Sequence, residues 1–493
     1  MRGGRSDRMF DYDVVAIGAG IVGSFVFDYC AINGISVCLC EAGEDVSLGA
    51  TKANSAIIHA GYDPLPGSLM AQLNVRGSKL YPEIAKRLGE KIYNCGSLVV
   101  SDKTGLPKLN ELLERGRING VSGLRIIDKE ELHALEPNLS DDMCYALFSK
   151  TASIISPYNF AVALCEEAII NGGNLKLNYK VDKIEKHGDG WRVFAGNQSV
   201  TCKYLVNTAG FACDYINRLA KAEKLDINYT IGEYILLDKS EGQLVHRPIF
   251  PLPTDKGKGI LVAPTVSGNI ILGPTARVIK DYTTAVSSEG LNEIKAKTAF
   301  VKNINFKKAI KFYAGVRTKC GNDFVIKQSN KVSNYIFTAG IASPGLASAP
   351  AIAEEILQIL IKNGVKMHKK LIRIRKPYTN TSKMSDLELN QLIAKNTKYG
   401  KLICRCENIT EGEIEEVLRG PIQPLTVEGL KRRLRVTMGR CQGSFCLPQV
   451  IDIMAKFYRV NPKNIIVRGT TSLVTDRIKV GGIYGEGGQN HEN

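Results

Sequence analysis

The sequence predicts an α/β protein of three parts: a Rossmann-like dinucleotide-binding domain, a domain built on an antiparallel sheet, and a small helical domain at the carboxy terminus. Three observations support this prediction. A strand, a glycine turn and a helix occupy the first 41 residues, alternating apolar and polar residues follow in the middle of the chain, and four cysteines cluster after residue 400. A chain of 493 residues that is 44% hydrophobic can bury a core for each part.

The first part opens with an apolar run from Tyr12 to Ile17 that ends directly in the glycine turn GAGIVG, and a helical pattern follows. In the turn, Gly18 permits the tight bend and Gly20 lets the backbone approach a pyrophosphate. Gly23 allows the helix to pack closely on the strand, and the amino terminus of that helix faces the anion. This order predicts a dinucleotide site.

A second strand, over residues 35–40, ends at Glu41. The carboxylate of Glu41 is placed to accept the ribose hydroxyls of an adenosine. An acid at this position disfavours a ribose phosphate, so FAD or NAD fits better than NADP. A glycine turn alone could be an ordinary surface turn, but the complete order of strand, turn, helix, strand and acid favours the dinucleotide.

Residues 47–62, reading SLGATKANSAIIHAGY, resemble the glycerol-3-phosphate dehydrogenase and L-2-hydroxyglutarate oxidase branch of the D-amino-acid-oxidase-like flavoproteins. The resemblance implies FAD as the cofactor. In that family the matching stretch passes beside the FAD and brings a histidine towards the isoalloxazine and the substrate. Asn54 and Ser55 would then contact the cofactor and His59 would be catalytic. A packed structural histidine is the alternative for His59.

Two later segments fit the same family. Residues 205–214, reading LVNTAGFACD, look like the strand and turn that return to the FAD, with Gly210 close to it. Residues 336–350, reading IFTAGIASPGLASAP, are similar to the loop under the flavin. A helix beginning near Ala351 would point its amino terminus at the ring, where it stabilises negative charge on the reduced flavin. The resemblance assigns four residues of this loop to the cofactor: Gly340, Ser343, Gly345 and Leu346.

Between these segments, residues 229–238 and 259–273 alternate apolar and polar side chains and predict antiparallel strands that roof the flavin. The family contributes substrate contacts from this layer, and the resemblance carries Arg317, in YAGVRTK, over as a catalytic residue. A guanidinium suits a carboxylate or a phosphate bidentately, whereas a surface ion pair is the alternative. Thr275, Arg277 and Lys327 are weaker candidates for the same pocket.

The carboxy-terminal cysteines are Cys404, Cys406, Cys441 and Cys446. Four thiolates from two turns can hold zinc or an iron–sulfur cluster, and gaps of one and four residues favour iron. The segments CRCE and MGRCQGSFC resemble the bacterioferritin-associated-ferredoxin-like (BFD-like) [2Fe-2S] domain fused to large subunits of anaerobic-type glycerol-3-phosphate dehydrogenases. This resemblance implies that the four cysteines hold a [2Fe-2S] cluster. Zinc and free core thiols are the alternatives.

The expected organisation is an extension at 1–10, the FAD-dependent oxidoreductase at 11–365, a basic linker at 366–395, the BFD-like domain at 396–460 and a tail at 461–493. Within the oxidoreductase, the FAD-binding segments are about 11–80, 150–225 and 335–365. The substrate segments are about 81–149 and 226–334. A capping box at Thr410 and Glu413 and two short helical patterns are expected between the cysteine pairs.

The formal net charge of +16 is concentrated in residues 362–376, with seven basic and no acidic side chains, and in residues 431–435. Aromatic residues are not interleaved with these runs, so a solvated linker and a face for an acidic partner are expected instead of a nucleic-acid site. No apolar run approaches the roughly 20 residues of a membrane span. Peripheral membrane association stays open. Without a secretory signal, 13 cysteines fit a reducing, cytoplasmic location.

The expected function is an FAD-dependent dehydrogenase acting on the CH-OH group of a small anionic 2-hydroxy compound, with sn-glycerol 3-phosphate as the favoured substrate and dihydroxyacetone phosphate as product. Electrons would leave through the [2Fe-2S] cluster to an electron-accepting protein subunit. An L-2-hydroxyglutarate dehydrogenase or oxidase is the alternative enzyme. An electron-transfer flavoprotein subunit and an RNA-modifying flavoprotein are the alternatives from other classes.

Overall fold

A computed structural model of the chain describes residues 9–253 and 259–469, together with the backbone of residues 472–473. The chain divides into two units, Met1–Pro377 and Tyr378–Asn493. Most of the predicted extension and of the predicted tail lies outside the described residues. Across the described residues, no helix combines the length and the apolar character that crossing a bilayer requires.

The first unit holds eight of the helices in the described part of the chain: α1 Ile21–Ile32, α2 Leu69–Leu88, α3 Leu106–Ile118, α4 Lys129–Leu135, α5 Pro157–Ile170, α6 Cys213–Leu219, α7 Ser288–Lys297 and α8 Gly345–Lys362. Its strands, in chain order, are β1 Tyr12–Ile17, β2 Val37–Cys40, β3 Ile57–Ile58, β4 Ile92–Tyr93, β5 Ser97–Ser101, β6 Leu124–Ile127, β7 Tyr145–Ser149, β8 Ser153–Ile155, β9 Asn174–Lys176, β10 Lys183–His187, β11 Gly190–Ala195, β12 Gln198–Asn207, β13 Asn228–Leu237, β14 Ile249–Pro251, β15 Leu261–Pro264, β16 Ile270–Gly273, β17 Arg277–Ile279, β18 Ala309–Lys319, β19 Val325–Gln328 and β20 Tyr335–Ala339.

An eight-stranded sheet forms the dinucleotide-binding layer. Its parallel strands run in the order β9, β2, β1, β12 and β20, while the hairpin β10–β11 and strand β19 join antiparallel. Strand β1 has the predicted bounds, and β2 begins two residues later than predicted. Because the parallel strands point the same way, the residues after β1, β2, β12 and β20 meet at one edge of the sheet.

A nine-stranded, mostly antiparallel sheet forms the second layer, in the order β17, β13, β16, β15, β14, β5, β7 and β6, with β18 also paired to β13. The predicted segments 229–238 and 259–273 are strand β13 and the hairpin β15–β16. One pair, β14 with β5, is parallel. A core of aliphatic side chains that includes Leu98, Ile235, Val262 and Leu272 packs on one face of this sheet.

Residues 366–377, the first part of the predicted linker, pack against the first unit as a strap. The His368 amide donates to Asn33 O at 2.9 Å, and Asn171 Nδ2 donates to Arg373 O at 2.8 Å. The Arg375 side chain is buried and its Nε lies 2.6 Å from Glu166 Oε2. The other residues of the strap are exposed, as expected of a solvated run, and Arg375 is the exception because a buried carboxylate of α5 draws its side chain inward.

The second unit is a small helical domain with two short hairpins. Its elements are α9 Asp386–Lys395, α10 Glu411–Leu418, α11 Val427–Leu434, α12 Leu447–Tyr458, β21 Leu402–Cys404, β22 Ile409–Thr410, β23 Ile466–Arg468 and β24 Ser472–Leu473. Helix α9 falls within the predicted linker. The predicted capping box is present at the start of α10, where Thr410 and Glu413 each bond the backbone of the other.

Candidate cofactor and substrate sites

The three glycines of the turn after β1 differ in the room that their surroundings leave for a side chain. Gly18 has φ +101°, and a Cβ there would lie 2.8 Å from the Ala209 backbone. A Cβ on Gly23 would lie 1.9 Å from the Gly18 carbonyl oxygen and 2.7 Å from Thr208 Oγ1. A Cβ on Gly20 would approach only Thr51 Oγ1, at 3.4 Å. The space beside Gly20 is thus open, as a cradle for a pyrophosphate requires.

Helix α1 begins at this turn without a side-chain cap and without an acid in its first turn. The Ile21 amide donates to Thr51 Oγ1 at 2.9 Å. Ser47 lies beside the same turn, its amide bonded to Ala19 O at 2.8 Å. Its side chain is fully buried, and its Oγ has no hydrogen-bond partner among the described residues. An orphaned buried hydroxyl beside an open helix end fits a polar cofactor.

Glu41 follows β2 and faces the same turn. Its Oε2 accepts from the Ala19 amide at 2.7 Å, and its Oε1 accepts from the Gly43 amide at 2.9 Å. Burial raises the pKa of the Glu41 carboxyl, while these two amides oppose the rise. Each oxygen keeps a second lone pair, which a ribose hydroxyl can use.

The segments after β12 and β20 complete this edge of the sheet. Thr208 Oγ1 donates to Ile17 O at 2.9 Å and so ties β12 to the end of β1. Gly210 has φ +58°, and no atom would approach its Cβ within 4 Å. Gly340, with φ +68°, directly follows β20 and packs on Cys320. Ser343 is exposed, Gly345 is buried and Leu346 is half-buried, all at the start of α8.

Helix α8 begins at Gly345, six residues before the predicted start near Ala351. Pro350, inside the helix, has no amide to donate to Leu346 O, the partner four residues earlier. The Tyr81 hydroxyl donates to Leu346 O instead, at 2.7 Å. Because this hydroxyl, from α2, replaces the missing amide donor, the helix can begin before the proline.

The segment containing Asn54, Ser55 and His59 lies between the two sheets. Asn54 Nδ2 donates to Ala50 O and Thr51 O, and its Oδ1 accepts from the Ala56 amide at 2.7 Å. These bonds fold the turn, so the Asn54 side chain shapes the backbone. Ser55 is half-buried in the same turn.

His59 is half-buried in the loop after β3. Its ring packs on Phe250 with centroids 5.7 Å apart, and its carbonyl oxygen accepts from Asn74 Nδ2 at 2.6 Å. Asn74 is fully buried on α2, and its Oδ1 has no hydrogen-bond partner among the described residues. Sequence reasoning did not find Asn74, because a lone asparagine within an amphipathic helix carries no motif.

Strand β18 turns one face towards residues 50–54. A Cβ on Gly315 would lie 1.9 Å from Ala53 O, and the Tyr313 hydroxyl donates to Asn54 O at 3.3 Å. Since alternate residues of a strand share a face, Arg317 points to the same side. Its direct partner on β13 is Thr230, and diagonally across lies Gly232, where a Cβ would be 2.5 Å from Arg317 Nη2. The glycine leaves room for the guanidinium.

The weaker candidates lie elsewhere. Thr275 Oγ1 donates to Glu233 Oε2 at 2.8 Å, and Arg277 Nη2 lies 3.7 Å from Glu233 Oε1. Glu233 neighbours Gly232 on β13 and therefore points to the opposite face of the sheet from Arg317. Lys327 belongs to the eight-stranded sheet, where its Nζ lies 5.7 Å from the ring centre of Phe337. Of these four sequence candidates, Arg317 alone faces residues 50–54.

The four carboxy-terminal cysteines form two thiol pairs. The side chain of Cys404 is hydrogen-bonded to that of Cys446, and the side chain of Cys406 to that of Cys441. The hydrogen bond from Cys446 lowers the pKa of Cys404 to about 6, whereas the pKa of Cys446 is raised by the same bond. Within the described chain, no three metal-ligating side chains converge on a single ion. Two thiol pairs can hold two irons, with two thiolates on each, or one tetrahedral zinc.

Backbone amides surround these sulfurs. The Thr437 amide is bonded to the sulfurs of both Cys404 and Cys446, and the Gly443 and Phe445 amides are bonded to Cys441. The loop reaches this shape through left-handed backbone at four positions, with φ between +49° and +92°: Arg435, Thr437, Gln442 and Gly443. Successive amides in such turns form concave sites for anions, including iron–sulfur clusters.

Gly439 explains a further feature of the loop. A Cβ at this position would lie 2.2 Å from Cys406 Cβ, so the backbone of the second cysteine loop passes directly over the first. Close approach of two loops is what brings the pairs together. The motif MGRCQGSFC contains both Gly439 and Gly443, but the spacing of the cysteines alone did not reveal their roles.

Comparison with known proteins agrees with both parts of the site. Residues 13–359 match the family profile described as FAD dependent oxidoreductase, and residues 402–456 match the BFD-like [2Fe-2S] binding domain. The chain is 41% identical over 451 residues to a glycerol 3-phosphate dehydrogenase of Caloramator mitchellensis, covering 90% of this chain and 94% of that protein.

More distant relatives match the first unit. A glycerol 3-phosphate oxidase of Mycoplasma pneumoniae is 30% identical, covering 71% of this chain and 94% of its own. An L-2-hydroxyglutarate dehydrogenase of Bos taurus is 27% identical, covering 70% and 84%. Among solved structures, dithionite-reduced L-alpha-glycerophosphate oxidase from Mycoplasma pneumoniae with FAD bound superposes with a TM-score of 0.69 at 28% identity, covering 73% of this chain and 96% of that one.

Proposed function

Because the chain belongs to the FAD-dependent oxidoreductases and carries a BFD-like [2Fe-2S] binding domain, we propose that it oxidises sn-glycerol 3-phosphate to dihydroxyacetone phosphate. The observation that carries this proposal is the 41% identity to a glycerol 3-phosphate dehydrogenase across both domains. The same observation favours a dehydrogenase that passes electrons through a cluster.

Residues at the carboxyl edge of the eight-stranded sheet would hold the FAD. Gly18, Gly20 and Gly23 would admit the pyrophosphate, Glu41 would accept the adenosine ribose, and Gly210 would lie beside the cofactor. The turn at Asn54 and Ser55 and the loop before α8 would border the flavin, the latter through Gly340, Ser343, Gly345 and Leu346. When bound, FAD supplies a hydride acceptor.

Arg317 would hold the phosphate of the substrate. Its guanidinium can bond two phosphate oxygens at once, and its place on the face of β18 that looks onto residues 50–54 supports this role. Its guanidinium donates to a backbone carbonyl, Thr275 O at 3.2 Å, and among the described residues no carboxylate competes there with an anionic substrate.

His59 would take the proton of the secondary hydroxyl as the substrate carbon loses its hydride. The Asn74 side chain, which holds the His59 carbonyl oxygen, would fix the loop that carries this imidazole. His59→Asn should leave FAD bound and slow reduction of the flavin by substrate about 100-fold or more, in the range of general-base removal. Anaerobic stopped-flow absorbance at the flavin band measures this rate, and a rate close to that of the unaltered protein would exclude His59 as the base.

The four cysteines would hold the [2Fe-2S] cluster. When bound, the cluster supplies a site that accepts one electron at a time. Cys404→Ser should remove the visible and EPR signals of the cluster while flavin reduction continues. Iron and sulfide analysis of the purified protein distinguishes the cluster from zinc directly.

An L-2-hydroxyglutarate dehydrogenase is the second candidate, since such proteins are among the relatives of the first unit. Both substrates present one anionic group and one secondary hydroxyl, which the Arg317 face cannot distinguish by charge alone. Bleaching of the bound flavin by each compound separates them. If only L-2-hydroxyglutarate bleaches the flavin, the proposed substrate is wrong, and if neither does, an electron-transfer subunit gains support.

A further inference from the structure

One edge of the cysteine cluster reaches the surface of the second unit. Cys404 and Cys446 are buried, whereas Cys406 and Cys441 are partly exposed. A reduced cluster transfers electrons best where its edge is close to solvent, because the rate falls steeply with distance from the partner. The Cys406–Cys441 edge is therefore the side at which electrons can leave.

Four exposed residues adjoin the cysteines in sequence, and three of them are charged or aromatic: Arg405, Arg440 and Phe445. Each is the direct sequence neighbour of a cysteine, so its Cα lies about 3.8 Å from a cysteine Cα. The Phe445 side chain is 74% exposed, the most open aromatic among the large apolar residues of the described chain. We call these three residues, with the Cys406–Cys441 edge, the exit face.

The charge of the exit face is positive. Between residues 401–408 and 438–446 the one carboxylate is Glu407, which is buried and accepts from Arg435 Nε at 2.9 Å. Glu407 therefore offsets neither Arg405 nor Arg440. The basic run 431–435, which was predicted to meet an acidic partner, is less exposed than the exit face, because Arg432 and Arg433 are each only 7% exposed.

We propose that the exit face docks an acidic protein that carries one electron per molecule. An exposed aromatic and two exposed arginines have the composition of an interface anchor, and opposite charge steers a transient encounter. Small, charge-steered contacts are typical of electron-transfer pairs. This proposal rests on the proposed function for its source of electrons. Oxidation of one alcohol releases two electrons and two protons, so two oxidised carriers are reduced per ketone formed, and the protons pass to solvent.

The test reverses the charge of the exit face in the full-length holoenzyme, with Arg405→Glu and Arg440→Glu together. Plastocyanin serves as an acidic one-electron acceptor and cytochrome c as a basic one. The kcat/KM for plastocyanin should fall about tenfold or more while cytochrome c is reduced at least as fast as before. A redox-inactive, cadmium-substituted plastocyanin should bind the unaltered protein with an affinity that falls as salt rises, and bind the variant more weakly.

The matched control is Lys456→Glu with Lys463→Glu, the same charge change at two exposed lysines of the same unit. Lys456 lies ten residues beyond Cys446 on α12, about 15 Å along the helix. Plastocyanin reduction by the control should stay within about twofold of the unaltered protein. If the double arginine variant assembles less cluster, Arg440→Gln and Phe445→Ser are compared per assembled cluster, and both should reduce plastocyanin more slowly.

Three results would overturn the proposal. The first is an unchanged kcat/KM for plastocyanin in the variants, and the second is equal loss in the control. The third is a slower reduction of the cluster by the flavin in stopped flow, which would make this face the point of electron entry. If glycerol 3-phosphate fails to bleach the flavin, the proposed function fails instead. The holoenzyme is then reduced photochemically, and transfer from cluster to plastocyanin still tests the exit face.

Discussion

At the scale of single residues, two glycines of one turn should fail in different ways. Gly23→Ala pushes a Cβ to 1.9 Å from the Gly18 carbonyl oxygen, so α1 must shift, at a cost of about 1–3 kcal/mol in the apoprotein. In Gly20→Ala the new Cβ meets no atom closer than 3.4 Å, so the unfolding temperature of the apoprotein should not change. Its Cβ would instead occupy the cradle and weaken FAD binding about tenfold or more.

Thermal unfolding of the two apoproteins and fluorescence titration with FAD measure these effects. Equal loss of FAD affinity without a stability difference between the variants would contradict the separation of roles. The motif itself predicted that both glycines matter. It also predicted different roles for them, and the contact distances show that a Cβ has no room at Gly23 and has room at Gly20.

The residues that sequence reasoning missed share a property. Thr51 and Asn74 each make a side-chain hydrogen bond to backbone that is distant in sequence, and the Ser47 hydroxyl is buried without a partner among the described residues. No spacing rule encodes such features. Glu41 could be predicted because a strand and a turn fix its distance from the glycine motif. Long-range partners depend on how two layers meet, which one sequence does not reveal.

At the scale of elements, the packing of α1, α2 and α5 encloses two carboxylates that share one guanidinium. Asp28 and Glu167 are fully buried, and both pair with Arg87. Burial raises the pKa of Asp28 to about 6, against an ordinary value of 3.8, although Arg87 opposes the rise. One cation beside two desolvated acids explains why the proton is retained.

The raised pKa fixes the sign of a pH effect. Between pH 3.8 and about 6 the native state keeps a proton that the unfolded chain releases, so the native state loses stability as the pH rises through this window. Asp28→Asn removes the effect. The quantity to compare is the free energy of unfolding of Asp28→Asn minus that of the unaltered protein. This difference should increase by up to about 3 kcal/mol from pH 4 to pH 7.

Fluorescence of Trp191 in urea titrations measures this, because the chain has one tryptophan and it lies in β11 of the first unit. Asp281→Asn, at an exposed position, is the matched control and should show a flat difference across the same range. A flat difference for Asp28→Asn as well would mean that the carboxyl is ionised throughout.

The strap at 366–377 yields a second prediction at this scale. Arg375 bonds Glu166 Oε2 at 2.6 Å and Leu88 O at 3.1 Å, and both charged side chains are almost fully buried. Arg375→Leu would remove one partner of a buried ion pair, which costs about 3–5 kcal/mol. Trp191 fluorescence in urea should show that loss.

The neighbouring, exposed Lys376 supplies the control, and Lys376→Ala should change the free energy of unfolding by less than about 0.5 kcal/mol. Adding Glu166→Gln to Arg375→Leu should recover part of the loss, because the more buried of the two carboxylates that Arg375 pairs with, Glu166 and Glu90, is then neutral. Equal effects of Arg375→Leu and Lys376→Ala would show that the pair contributes little. Charge counting did not reveal this pair, because it cannot tell which basic side chain of a mostly exposed run faces a buried acid.

At the scale of the whole molecule, the boundary between the two units decides whether the first can act alone. The glycerol 3-phosphate oxidase of Mycoplasma pneumoniae spans 71% of this chain yet matches 94% of its own length, so a relative of the first unit is nearly complete without the second. The units separate after Pro377, beyond the strap, whereas the sequence predicted an end at residue 365.

These two boundaries predict different behaviour for truncated chains. A chain ending at 377 keeps the Arg375 bonds to Glu166, so it should bind FAD and be bleached by glycerol 3-phosphate within about threefold of the full-length rate, while lacking the cluster. A chain ending at 365 loses the whole strap. Its free energy of unfolding, measured by urea titration, should be lower by about 3 kcal/mol or more. Flavin content, anaerobic bleaching and Trp191 fluorescence of the two chains make the comparison. Equal stability of the two truncated chains would place the functional end of the oxidoreductase at 365 and would show that the strap serves only to lead into the second unit.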